Sequence, residues 1–208
     1  MSVSTFETNV FVNCPYDDHF RPLLRPLLFT VLCAGLNPRM AAERLNSGET
    51  RFSKIVELVR ESKYAIHDLS RIKAERAGEY FRLNMPFELG LDVGCSCFGS
   101  GEQLSKRCLI LEKEPYRYQI ALSDLSNSDI AAHYDEPVRV VTAVRHWLVN
   151  DVGIDLPGPS ALFDLFMQFM ADNYEYLLEH GFHKNDIPGL PVPELIKHMR
   201  EWVAANIS

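Results

Sequence analysis

The sequence predicts an α/β protein: a parallel sheet of about five strands with crossover helices, and a helical extension at the C-terminal end. Three observations point there. Strand and helix signals alternate from the first residues onward, the signature of a parallel sheet whose helices cross between strands. The helical stretches carry proline near their starts and glycine at their ends. After Pro157-Gly158-Pro159 the strand signals stop and helical periodicity alone remains. Two units follow: residues 1–150 as the α/β domain, and 151–208 as the extension, which either packs on that domain or forms a subunit interface. No internal repeat or low-complexity segment interrupts them.

Asn9-Val10-Phe11-Val12-Asn13, before Cys14-Pro15, is a buried first strand. The next helix starts near Pro22, where a missing N–H costs nothing. Leu23, Leu24, Leu27, Leu28, Val31 and Leu32 give it a wide apolar face, and Gly35 stops it. Residues 36–43 form a weaker second strand, disturbed by Pro38. A polar loop over 44–50 precedes helical spacing of Phe52, Ile55, Val56 and Val59. The third strand covers 64–69. The charged segment 70–83 contains Gly78 and reads as a long loop, a kind that is usually functional or mobile. A helix from Pro86 to about Phe98 ends at Gly99-Ser100-Gly101, and Cys108-Leu109-Ile110-Leu111 is the fourth strand. Residues 115–135 are mixed, with a short strand around Ile130. Residues 137–150 are helical through Val138, Val141, Val144, Arg145 and Leu148. Ser160 can cap a helix over 161–180 whose apolar residues surround nearly the whole cylinder, so burial on more than one side is expected. A proline-rich connection leads to a last helix over 194–206.

Composition removes several function classes. The 208 residues hold 21 Lys and Arg against 28 Asp and Glu, a net charge of −7. Without a basic run, a grip on long stretches of nucleic-acid backbone is not expected. An anionic ligand would need local help from helix amides and a few arginines. No apolar run reaches the roughly 18 residues of a membrane-spanning helix, and the first residues show neither a basic segment nor an apolar signal core. Cys14, Cys33, Cys95, Cys97 and Cys108 are odd in number, and no two are spaced like a zinc knuckle. They read as buried thiols in a reducing cytoplasm, with no metal. His180 and His183 read as surface residues around a turn at Gly181.

In an open parallel sheet, ligands bind beyond the carboxyl ends of the strands where the strand order reverses. That rule selects Asn13, Cys14, Pro15, Asp17 and Asp18 after the first strand, Asp68 after the third, and Met85-Pro86-Phe87-Glu88 at the next helix start. Asn13, Asp68 and Glu88 are expected to converge on one edge. Proline disfavours helical geometry in the residue before it, so Met85 is the expected N-cap, Pro86 the first helical residue and Glu88 the third. Glu88 has two readings. An acid there suits the helix dipole and can bond back to the cap. Held ionised by the same amides, it can instead stabilise or attack an anomeric carbon as a glycosidic bond breaks. Asp68 likewise either forms an Asx turn or serves the site. Asp17 and Asp18 can cap the first helix. Arg44 and Arg51 flank the second crossover and either meet a nucleotide phosphate or stay solvated. His67 points away from Asp68 across the strand and is packed.

At these residues the chain resembles nucleoside 2-deoxyribosyltransferase-like proteins. Val10-Phe11-Val12-Asn13-Cys14-Pro15-Tyr16-Asp17-Asp18 is similar to their first-strand turn, Ala65-Ile66-His67-Asp68-Leu69-Ser70 to their third-strand segment, and Asn84-Met85-Pro86-Phe87-Glu88-Leu89-Gly90 to their helix start. The similarity covers roughly residues 9–112. Typical transferases are shorter, have a compact loop before the glutamate, and lack an extension like 157–208. The resemblance implies a flavodoxin-like fold, shared with TIR domains, many of which cleave NAD. It implies catalytic roles for Glu88, at the anomeric carbon, and Asp68, holding the sugar or base. It places Asn13, Cys14, Pro15, Asp17, Arg44, Met85 and Phe87 around a nucleoside, nucleotide or NAD, with NAD a substrate rather than a cofactor. Residues 112–129 resemble uncharacterised bacterial TIR-like proteins, and the superfamily resemblance as a whole implies nucleotide signalling or phage defence. A nucleotide-sensing or scaffold module without chemistry is the alternative, and the C-terminal helices are candidates for self-association.

Overall fold

The computed structural model describes residues 5–43, 50–72, 83–117, 122–123 and 130–207. The strands are β1 (Asn9–Asn13), β2 (Asn37–Arg39), β3 (Tyr64–Asp68), β4 (Arg107–Glu112) and β5 (Ile130–Ala132). All four pairings are parallel, and the order is β2-β1-β3-β4-β5. This is the flavodoxin-like order. The chain leaves β1 toward one edge and β3 toward the other, so the strand order reverses between them, the position where open α/β sheets bind ligands. Asn13 is in register with His67, one residue before Asp68.

Side-chain alternation along the central strands builds two cores. Val10, Val12, Ile66, Leu109 and Leu111 face α2 (Arg21–Cys33) and α5 (Pro137–Trp147). Phe11 and Ala65 face α3 (Arg51–Arg60), and Ile110 meets Met85 and Leu89 of α4 (Asn84–Phe98). A single helical turn, α1 (Thr5–Thr8), precedes β1. The extension forms α6 (Pro159–Glu179) and α7 (Val192–Asn206). Both helices pack on α2 and add to the same core. Phe29 of α2 touches Phe166, Phe169 and Trp202 with ring centroids 5.6–5.7 Å apart.

Several expectations shift by a turn or less. The second strand is three residues long and runs into a helical turn at Ala41–Glu43. Pro38 is accommodated because β2 is an edge strand, where a missing N–H breaks no ladder. The fourth helix begins at Asn84, with Phe87 N–H bonded to Leu83 O at 3.1 Å. Pro86 sits inside the first turn, where N–H groups have no intrahelical partner. Glu88 therefore lies one turn into the helix rather than at its third position. The helix after β5 widens into an i→i+5 turn at Leu148–Val152, closed by Gly153 at φ 84°.

Three burial expectations are corrected. The extension's first helix buries one face: Leu162, Phe166, Phe169, Asn173 and Leu177 recur at intervals of three and four. Met167, Tyr174 and Leu178 remain exposed. Of the five cysteines, Cys14 alone is fully buried; Cys97 is exposed and the others are half-buried, and all five are free. Phe52 points outward instead of joining Ile55 and Val59 in the core. His180 and His183 are exposed, next to Gly181 at φ 87°. Among the described residues, no helix is long and apolar enough to cross a membrane.

Candidate functional site

The carboxyl ends of β1 and β3 carry two separate polar systems, one on each face of the sheet. On the α3/α4 face lies Asn13, almost fully buried. Its amide nitrogen donates to Met85 O at 2.9 Å and to His67 Nδ1 at 3.0 Å. An amide nitrogen only donates, so His67 Nδ1 accepts and the ring proton sits on Nε2. That Nε2 faces Asp92 Oδ2 at 3.4 Å. Asp92 Oδ1 pairs with Lys106 Nζ at 2.9 Å. Lys106 also donates to the carbonyls of Val59 and Ser62 at the end of α3. Burial works to raise the Asp92 carboxyl, but the hydrogen bonds from His67 and Lys106 outweigh it and hold the pKa below the usual value. A buried polar chain thus runs from Lys106 under the sheet to Asn13 and the first turn of α4.

Glu88 projects from α4 at the same edge. It is 3% exposed, and its Oε1 has no hydrogen-bond donor. The Arg51 guanidinium stands 3.9 Å away, on an exposed side chain. Burial pushes the Glu88 carboxyl up to about 7, against the opposing charge of Arg51 and a hydrogen bond from Asn84. A buried carboxyl with a pKa near neutrality at the strand-order reversal suits a general acid, base or nucleophile. Asn13 Oδ1 is a second buried acceptor without a donor. Two such acceptors at one edge leave hydrogen-bonding capacity for donors of a ligand.

Asp68 belongs to the other face. It is fully buried, and both carboxylate oxygens are occupied. Oδ1 accepts from Ser70 N at 2.9 Å and from Ser70 Oγ at 2.5 Å, an Asx turn. Oδ2 accepts from His133 Nε2 at 3.1 Å, and His133 Nδ1 in turn accepts from Asp135 N at 3.0 Å. Beside it, Arg117 clamps the buried Glu112 with bonds of 2.9 and 2.6 Å and donates to Ser70 O. These clasps tie the ends of β3, β4 and β5 together. The expected convergence of Asn13, Asp68 and Glu88 is therefore split: Asn13 and Glu88 share the α3/α4 face, and Asp68 has no free oxygen.

The remaining candidates divide in the same way. Cys14 is buried, and burial raises its thiol well above the ordinary value, helped by the charges of Asp68, Glu88 and Asp17. It stays protonated and is no nucleophile. Pro15 is buried beside it. Asp17 Oδ1 accepts from Phe20 N at 3.0 Å in the turn that precedes α2, and the helix itself has Phe20 as N-cap with no side-chain cap bond. Asp18 pairs with Arg21 at the surface. Met85 packs in the core with Leu69 and Leu89 and offers the site only its carbonyl. Phe87 is exposed next to the exposed Phe52, their ring centroids 6.1 Å apart. Arg44 and residues 73–82 of the expected 70–83 loop lie outside the described residues.

Sequence reasoning did not select Tyr16, Phe52 or His133 and gave Arg51 no preference over a solvated surface role. Burial raises the Tyr16 phenol, reinforced by Cys14 and Glu88 and opposed by Arg51, which brings it into the field of the same edge. Its place in the Cys14-Pro15-Tyr16-Asp17 turn was the available signal. His133 had none, because its partner lies 65 residues away. Among the described residues, no group of three His, Cys, Asp or Glu side chains is arranged to hold a metal ion. No family model, no curated protein and no solved structure matches the chain, so the chemistry of this edge rests on its own residues.

Proposed function

We propose that this edge cleaves or exchanges the N-glycosidic bond of a nucleoside, a nucleotide or NAD, with Glu88 acting at the anomeric carbon. The observation that carries the proposal is the buried Glu88 carboxyl, with an oxygen lacking a donor and a pKa near neutrality. In its ionised form it faces the sugar carbon while the C–N bonding pair departs with the base. It then meets the oxocarbenium charge, or forms a C–O bond that water or a second base breaks. Low local dielectric strengthens that interaction. The Arg51 guanidinium suits a nucleotide phosphate, and Asn13 Oδ1 suits a sugar hydroxyl. Asp68 acts as a positioning residue through the strand end it holds.

The test is incubation with NAD and a panel of nucleosides and nucleotides, with released base followed by chromatography. The wild type releases base, and Glu88→Gln loses turnover by roughly a thousandfold or more while keeping the fold. Full activity in Glu88→Gln overturns the assignment. The exposed Phe52–Phe87 pair at the mouth is suited to stack on a base. Phe52→Ala and Phe87→Ala each raise KM several-fold, since base–aromatic stacking contributes about 1–3 kcal/mol, and leave kcat within about twofold. Steady-state kinetics checks this.

A second reading is a nucleotide-sensing or scaffold module without chemistry. The occupied carboxylate of Asp68 favours it, because no free oxygen remains there to orient a sugar. Calorimetric binding without product formation distinguishes it. Two further proposals complete the picture. The five free thiols suit a reducing cytoplasm. The exposed Met167, Tyr174 and Leu178 on α6 suit self-association through the C-terminal helices, which sedimentation velocity tests.

A further inference from the structure

The extension holds a cavity of about 470 Å³ between α6 and α7, away from the strand ends and from Glu88. Its volume is within the range of small-molecule sites. Three aromatic residues line it: Phe169 and Tyr176 from α6, and Trp202 from α7. Phe169 is fully buried and meets Trp202 edge-to-face, with centroids 6.0 Å apart. Tyr176 stands at the mouth, its ring edge-on to His198 at 5.7 Å.

The polar groups at the cavity set the charge of an occupant. Asp172 and Glu201 line it, and no lysine or arginine does so among the described residues. Asp172 Oδ2 accepts from Trp202 Nε1 at 2.8 Å, which orients the indole and keeps a carboxylate beside its ring. Lys197 approaches Glu201 at 3.9 Å, but both side chains are well exposed, and such a pair is weak. His198 donates from Nδ1 to the buried Asn173 Oδ1 at 2.8 Å, so it is held as part of the wall. Aromatic faces attract cations through the ring quadrupole, and nearby carboxylates reject anions. The combination selects a positively charged ligand with an apolar surface.

We propose that the α6–α7 cavity is a binding site for a small organic cation of the alkylammonium class, independent of the site at the sheet edge. Tyr176 and Trp202 flank the cationic head, Phe169 backs the Trp202 ring from the core, and Asp172 and Glu201 supply the countercharge.

The test uses choline chloride and its uncharged carbon isostere, 3,3-dimethylbutan-1-ol, on the full chain. Binding is followed by the indole N–H resonance of Trp202, assigned by its loss in Trp202→Phe. Choline shifts that resonance saturably, and the isostere binds roughly tenfold more weakly, the scale of a cation–π contribution at a partly desolvated site. Tyr176→Leu alters a ring at the mouth rather than the core, so it keeps the test valid if Trp202 variants fold poorly. It weakens choline binding several-fold, and Glu201→Gln also weakens it. Equal affinity for choline and the isostere overturns the proposal in favour of a purely apolar pocket. Absence of any saturable shift overturns it outright. Base release at the sheet edge is unaffected by either result.

Discussion

Glu88→Gln raises the stability of the folded protein above neutral pH and leaves it unchanged below about pH 4.5. The folded-state pKa of Glu88 is about 7, against 4.5 for the unreacted side chain. The folded state therefore binds more protons than the unfolded state between those values. Stability falls as pH rises through that window, and the full penalty is present above pH 7. A shift of this size corresponds to about 3 kcal/mol as an upper bound. Glutamine keeps the shape of the protonated acid, so it removes the penalty without opening a cavity. Urea unfolding of both proteins at pH 5 and pH 8 measures the difference. Equal stability changes at the two values exclude the raised pKa. A carboxyl kept in a destabilising position is what a working site tolerates and a purely structural cap does not. The same substitution that stabilises the fold is expected to remove turnover.

Lys106→Met lowers stability by about 3–5 kcal/mol, the usual consequence of breaking a buried ion pair. The Lys106 and Asp92 side chains are 1% and 3% exposed. Without the ammonium, Asp92 keeps only the long bond from His67, and the carbonyls of Val59 and Ser62 each lose a charged donor. In a chain of this length the midpoint of thermal unfolding drops by on the order of 10 °C. The double variant Lys106→Met/Asp92→Leu recovers much of the loss, because it removes both charges together. A single-variant loss under about 1 kcal/mol means that water reaches the pair. The chain also positions Asn13 through His67, so the single variant is expected to weaken ligand binding at the sheet edge. The pH dependence of the pair opposes that of Glu88. Asp92 is held below its ordinary value, so its contribution is present above pH 3.8 and lost as pH falls below it.

Much of the fold was legible because it depends on local patterns. Continuous apolar runs marked β1, β3 and β4, and spaced leucines with Pro22 and Gly35 marked α2. Boundaries were less legible where a residue's local preference met tertiary context. Pro38 and Pro86 are both accommodated where no N–H is needed. The outward turn of Phe52 and the one-sided burial of α6 were not legible, since hydrophobicity alone does not say which apolar side chain a neighbour will cover. Glu88 and Asn13 were selected because strand ends and helix starts are visible in sequence. The different fates of Glu88 and Asp68 were not visible.

By itself, the sequence determined the α/β alternation, the helical extension and the set of residues at the strand ends. These follow from periodicity and from the backbone demands of proline and glycine, which act over a few residues. The tertiary structure alone decided which acid is closed and which is open. Asp68 meets His133 from 65 positions away, and Asp92 meets His67 and Lys106, so these carboxylates have partners. Glu88 is buried with an unpartnered oxygen beside Arg51. Burial and partnership are properties of the assembled layers, and they set proton affinity at each carboxyl.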